Sequence, residues 1–96
     1  MADTQMILAI LKQAKPSLAK KYGVKDIALF GSYSRNTAIP DSDIDVMVDF
    51  SKPIGLAFVD LADELEELLK MKVDLVSRKG IKPKYFSVIE PDLIYV

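Results

Sequence analysis

The sequence predicts an α/β (α+β) protein: a small mixed β-sheet with flanking helices. Three observations carry this. Apolar residues recur at helical spacing from Met6 to Tyr22 and from Leu56 to Leu69. Short apolar or alternating runs at 26–30, 43–50 and 73–76 have the length of strands. Gly, Pro and Ser separate these stretches. With 96 residues, the expectation is a single domain over 1–96. A chain of this size buries roughly 60–70% of its unfolded surface, enough for one modest core.

In the first helix, Met6, Ile7, Ile10, Leu11 and Ala14 form the apolar face, with Thr4 as the expected N-cap. Pro16 should kink or restart it before Leu18 and Tyr22. Gly23 is the expected stop. Asp26-Ile27-Ala28-Leu29-Phe30 reads as a buried strand that ends at Gly31. A short helical turn is expected from Ser32 to Thr37, then a loop at 39–42. From Asp43 to Phe50 the alternation puts Ile44, Val46 and Val48 on one face, and Asp43, Asp45, Met47 and Asp49 on the other. Leu56, Val59, Leu61, Ala62, Leu65, Leu68 and Leu69 form the stripe of a helix over 55–70, with its acids on a solvated face. Val73 to Val76 is a third strand. Lys82 to Glu90 is a last helix with Pro83 in its first turn, and Leu93 to Val96 adds an edge strand.

Composition excludes several chemistries. Without Cys there are neither disulfides nor thiolate sites, and without His there is no Ser-His-Asp triad and no usual zinc ligand. Catalysis would fall to carboxylates and bound cations. A net charge of −1 argues against nucleic acid as the main partner. No apolar run reaches the roughly 20 residues of a membrane span, and no signal-peptide pattern opens the chain, so the expected location is cytoplasmic.

The chemistry is concentrated between Phe30 and Val48. Gly31 permits a tight turn and close backbone approach, and Ser32 adds a hydroxyl, which together suit a phosphate cradle. Gly-Ser turns are common, however, and the G-x-x-x-x-G-K-[ST] pattern is absent. Asp43 and Asp45, two apart on a strand, leave the same face roughly 6.5–7 Å apart. Such carboxylates suit hard divalent cations such as Mg2+ or Mn2+, although D-x-D alone also describes a solvent-facing strand. Arg35 follows Ser32 by about one turn and can reach a phosphate, support a carboxylate or sit on the surface.

Asp74 makes the pattern more specific. If the Gly31 turn and Asp43 share a site, the first two strands run antiparallel as neighbours. If Asp74 joins them, the second and third strands run parallel, linked by the 55–70 helix as a crossover. One mixed sheet then gathers Gly31, Ser32, Asp43, Asp45 and Asp74. Three acids leaving apolar strands favour a cation. Such a site predicts phosphoryl or nucleotidyl transfer, with one or two metals clamping the attacking and leaving oxygens. Asp74 would serve as an extra ligand or as the proton acceptor.

Gly31-Ser32-x-x-Arg35, Ser42-Asp43-Ile44-Asp45 and Val73-Asp74-Leu75-Val76 together resemble the minimal nucleotidyltransferases of the DNA polymerase beta-like superfamily. The resemblance spans nearly the whole chain. It implies that fold, catalytic and metal-binding roles for Asp43, Asp45 and Asp74, and nucleotide-binding roles for Gly31, Ser32, Arg35 and Ser42. It further implies ATP as substrate and Mg2+ as cofactor, with Mn2+ able to substitute. Small members of this family are often antitoxins of HEPN-domain ribonuclease toxins encoded nearby, and transfer AMP to a tyrosine of the toxin. One position departs from the pattern: a glycine commonly follows the motif arginine, and here it is Asn36. Asn tolerates left-handed backbone, so the turn is expected to survive. The alternative is a non-catalytic antitoxin or nucleotide-binding module that neutralises its partner by contact.

Overall fold

The computed structural model describes residues 3–96. Helix α1 (Thr4–Tyr22) leads into strand β1 (Val24–Phe30) and the short helix α2 (Gly31–Ser34). Strand β2 (Ile44–Phe50), helix α3 (Ala57–Leu69) and strand β3 (Val73–Ser77) follow. Helix α4 (Pro83–Ile89) and the edge strand β4 (Ile94–Tyr95) close the chain, with 3-10 turns at Arg78–Gly80 and Glu90–Asp92. The sheet order is β3-β2-β1-β4. β1 is antiparallel to β2 and to β4, and β2 is parallel to β3, so the mixed sheet expected from the placement of the acids is the one that forms.

β1 and β2 are central strands covered on both faces, which is why their middles are apolar in both side-chain rows. On one face Ile27, Leu29, Ile44, Val46, Val48 and Phe50 pack with Ile7, Leu11 and Leu18 of α1 and Leu61, Leu65 and Leu69 of α3. On the other, Ala28, Phe30 and Met47 pack with Ile81 and with Ile89 of α4. Met47, which the alternation puts in the same row as the aspartates, is therefore core. Of the acids in that row, Asp43 is exposed and Asp45 and Asp49 are partly buried.

Four expectations need correction. Asp3 caps α1: its carboxylate accepts from the Met6 amide at 2.8 Å, while Thr4 is already helical and buried. An aspartate one position earlier reaches the third amide and frees Thr4 for an inward contact. The helix also does not restart at Pro16. Pro16 and Lys12, whose carbonyl loses its usual donor, are both exposed, so water can satisfy that carbonyl. At the N-cap of α3 and in its first turn, Leu56 and Val59 remain 92% and 60% exposed. At 3.6 residues per turn they project away from the Leu61–Leu65–Leu69 line, so the buried stripe is narrower than the apolar composition suggests. Finally, the acidic face of α3 is not simply solvated. Glu64 accepts from Lys21 and the Tyr22 hydroxyl, each at 2.8 Å, and Glu66 accepts from the Val73 amide at 2.9 Å. Those contacts tie α3 to α1 and to the start of β3.

Gly23 ends α1 as expected, with φ +73° and its amide on the Ala19 carbonyl at 2.9 Å. Pro83 opens α4, and its missing amide costs nothing there.

Candidate active site

The register of the sheet assembles the site. Phe30 on β1 lies opposite Asp45 on β2, and Asp45 lies beside Asp74 on β3. Asp43 immediately precedes β2 and is exposed. The end of β1 and the starts of β2 and β3 thus meet at one edge of the molecule, as the strand-direction argument requires.

Gly31 is where the end of β1 meets the acids. Its φ is +76°, and a Cβ built there would overlap Asp45 Oδ2 and lie 2.9 Å from Asp45 Cγ. Only a residue without a side chain lets the Asp45 carboxylate pack directly over the turn. Ser32 follows within α2, partly buried, with its carbonyl accepting from the Thr37 amide at 2.9 Å. Arg35 caps α2, its amide 3.1 Å from the Gly31 carbonyl. Its guanidinium donates to Asp92 Oδ2 at 2.8 Å while the side chain stays half-exposed, so it is a surface arginine that supports a carboxylate. Ser42 is turned toward its own loop: its hydroxyl accepts from the Ile39 amide at 3.0 Å, and its amide donates to the Ile39 carbonyl at 2.9 Å. Accepting leaves the hydroxyl proton free to donate.

The electrostatics single out Asp45. Burial, then the charges of Asp74 and Asp43, push its carboxyl up to about 6, with Arg35 opposing. Its negative charge is held in a place that penalises it and lacks a full counter-charge. The donor set is all carboxylate oxygen, which fits a hard cation such as Mg2+. Among the described residues, no three carboxylates converge closely enough to enclose an ion as they stand. The acids are gathered on one edge without forming a finished cage.

Asn36 keeps the turn in the left-handed region, with φ +59°. Its side chain is also used. The Thr4 hydroxyl lies 3.0 Å from Asn36 Oδ1 and donates to the Tyr33 carbonyl, joining the start of α1 to the end of α2. Tyr33 itself is core, with its hydroxyl 3.8 Å from Met71 Sδ. Thr4→Val keeps the shape and removes the bonds. It is expected to cost about 1 kcal/mol, a fall in Tm of roughly 4–8 °C by calorimetry. Asn36→Gly, which satisfies φ without strain but loses the Thr4 contact, should lie closer to wild type.

Sequence reasoning missed Thr4 and Asp92 as partners of this region. Both contacts span long stretches of chain, and no local spacing encodes them.

An antiparallel β1–β2 pair that ends in a glycine turn is joined by a parallel β3 that brings a further acid alongside, the arrangement expected of a nucleotidyltransferase. A family model described as "Nucleotidyltransferase domain" matches residues 11–96, and the chain belongs to that family. Protein adenylyltransferase MntA of Thermococcus cleftensis is 38% identical over 97 residues, covering 100% of this chain and 98% of that protein. A Methanocaldococcus jannaschii relative, provisionally named a protein adenylyltransferase, is 51% identical over 89 residues and covers 91% of each chain. Among solved structures, a chain from the tri-AMPylated Shewanella oneidensis HEPN toxin in complex with MNT antitoxin aligns with TM-score 0.61 and 25% identity. That alignment covers 96% of this chain and 66% of that one.

Proposed function

We propose that residues 1–96 act as one catalytic unit that transfers AMP from ATP to a hydroxyl, that of a tyrosine, on a HEPN-domain toxin, silencing it as its antitoxin in the cytoplasm. The observation that carries the reading is the packing of Asp45 directly over Gly31, which makes a glycine turn and an acid cluster one continuous surface. The names of the relatives support the same chemistry. Asp43, Asp45 and Asp74 would hold one or two Mg2+ ions, with Mn2+ able to substitute. Bound there, the metal would offset triphosphate charge and lower the pKa of the acceptor hydroxyl.

The chain's own groups divide the remaining work. The Gly31 backbone and the Ser32 hydroxyl border the triphosphate, and Ser42 donates its free proton to it. The guanidinium of Arg35 adds charge on the same side. The acceptor oxygen forms its bond to the α-phosphorus as the bond to the β-phosphate bridging oxygen breaks, and pyrophosphate leaves. Asp74, exposed beside Asp45, takes the proton of the acceptor hydroxyl.

The test is to incubate the protein with ATP, Mg2+ and its HEPN partner, and to read the partner's intact mass. A gain of one or more AMP units is expected. An unmodified partner, under conditions where an active relative modifies its own, removes the proposal. Neutralisation that survives replacement of Asp43 and Asp45 would instead support the contact-only module. Among the described residues no helix is long and apolar enough to cross a membrane.

A further inference from the structure

Asp92 belongs to the 3-10 turn between α4 and β4, remote in sequence from the glycine turn. It makes two contacts with the segment that follows Gly31. Its carboxylate accepts from Arg35 Nη1 at 2.8 Å, and its backbone carbonyl accepts from the Ser34 hydroxyl. The two partners of the ion pair differ in exposure: the Arg35 side chain is 50% exposed and that of Asp92 24%. Asp92 is also anchored independently of α2. Leu93 packs against the smaller core cluster, its amide bonds the Glu90 carbonyl at 3.2 Å, and Ile94 pairs with Leu29. The acid is therefore the fixed member, and the arginine is the member it holds.

We infer that Asp92 is a positioning residue for nucleotide binding: it fixes the Arg35 guanidinium and the Ser34 end of α2 so that arginine and glycine turn address the same triphosphate. The inference rests on the reading of Gly31, Ser32 and Arg35 as the nucleotide side of the site. A free arginine on this surface would sample many rotamers, and that freedom would be lost on binding. The ion pair removes it beforehand. Arginine carries five N–H donors, and Asp92 engages one nitrogen of the fork, which leaves the rest for phosphate oxygens.

The test is ATP binding in the presence of Mg2+, by isothermal titration calorimetry, for wild type, Asp92→Asn, Asp92→Glu, Arg35→Ala and the Arg35→Ala/Asp92→Asn double variant. Asp92→Asn keeps the backbone carbonyl for Ser34 and loses only the charge. It is expected to weaken ATP binding about threefold to tenfold and to raise KM for ATP by the same factor, with kcat within about twofold. Its Tm should stay within a few degrees of wild type, because a half-exposed ion pair contributes little to stability. Asp92→Glu should recover most of the affinity. In the Arg35→Ala background, Asp92→Asn should add no further loss. Equal losses in both backgrounds, or an unchanged affinity in Asp92→Asn, would overturn the inference. A wild type that binds ATP but leaves its partner unmodified would sink the adenylyl-transfer reading alone, since Asp92 is judged on the titration.

Discussion

Asp45→Asn is expected to lower AMP transfer on the order of a thousandfold, about 4 kcal/mol of barrier, while making the metal-free protein more stable. The two effects have one cause. Asp45 is partly buried beside Asp74 and Asp43, and its carboxyl is pushed up to about 6. A carboxylate in such a place is suited to a cation and strained without one. The sign of the pH dependence follows. Because the folded pKa lies above the ordinary value of 3.8, the stabilising contribution is fully present below about pH 4 and is lost as pH rises through about 6. The full shift would correspond to roughly 3 kcal/mol, and solvent screening of a half-buried group reduces that to about 1–2 kcal/mol. Thermal melts of metal-free wild type and Asp45→Asn should therefore diverge in favour of the variant between pH 4 and 6 and then run parallel. Adding Mg2+ at neutral pH should raise the Tm of wild type more than that of the variant. A gap that is constant across this range would remove the electrostatic account of the site, and unchanged transfer rates would remove the metal role.

Gly31→Ala is expected to cost about 2–4 kcal/mol of stability and most of the activity. The methyl would overlap Asp45 Oδ2, with Asp45 Cγ and Cβ only 2.9 Å and 3.2 Å away, on a backbone at φ +76°. Rotation about Cβ–Cγ moves only the carboxylate oxygens, and rotation about Cα–Cβ also moves Cγ but still leaves Cβ at 3.2 Å. The turn or β2 must therefore give by a few tenths of an ångström, or Asp45 must leave its place in the site. The positive φ and the clash can be separated by a double-mutant cycle. In an Asp45→Ala background, Gly31→Ala should cost only the backbone strain, about 1–2 kcal/mol, while activity stays lost. Denaturant melts of the four proteins measure this. Additive stability losses would show that the two residues are not packed against each other in solution.

Much of the fold was legible in the sequence because its signals are local. The alternation from Asp43 to Phe50 marks β2, Gly23 marks the end of α1, and Pro83 marks the start of α4. The strand directions followed too, on the condition that Gly31, Asp45 and Asp74 share a site and their strands are neighbours, and the sheet meets that condition. Other features resisted for a physical reason. Met47 shares a row with aspartates, and only the packing of Ile81 and Ile89 shows that α4 covers that part of the sheet. Leu56 and Val59 read as core by composition, but the narrow contact of α3 leaves them outside.

The residue types and spacings of Gly31-Ser32, Asp43-Ile44-Asp45 and Asp74 were determined by the sequence alone, because short-range sterics and side-chain period act over a few residues, and the strand directions followed once those residues were taken to share a site. Tertiary structure alone decided which distant groups complete the site. The closeness of Asp45 to the Gly31 turn, the hold of Asp92 on Arg35 and the use of Thr4 to brace Asn36 each arise from contacts between segments far apart in the chain. Such contacts exist only after the sheet register and the return of the C-terminal segment along β1 are set.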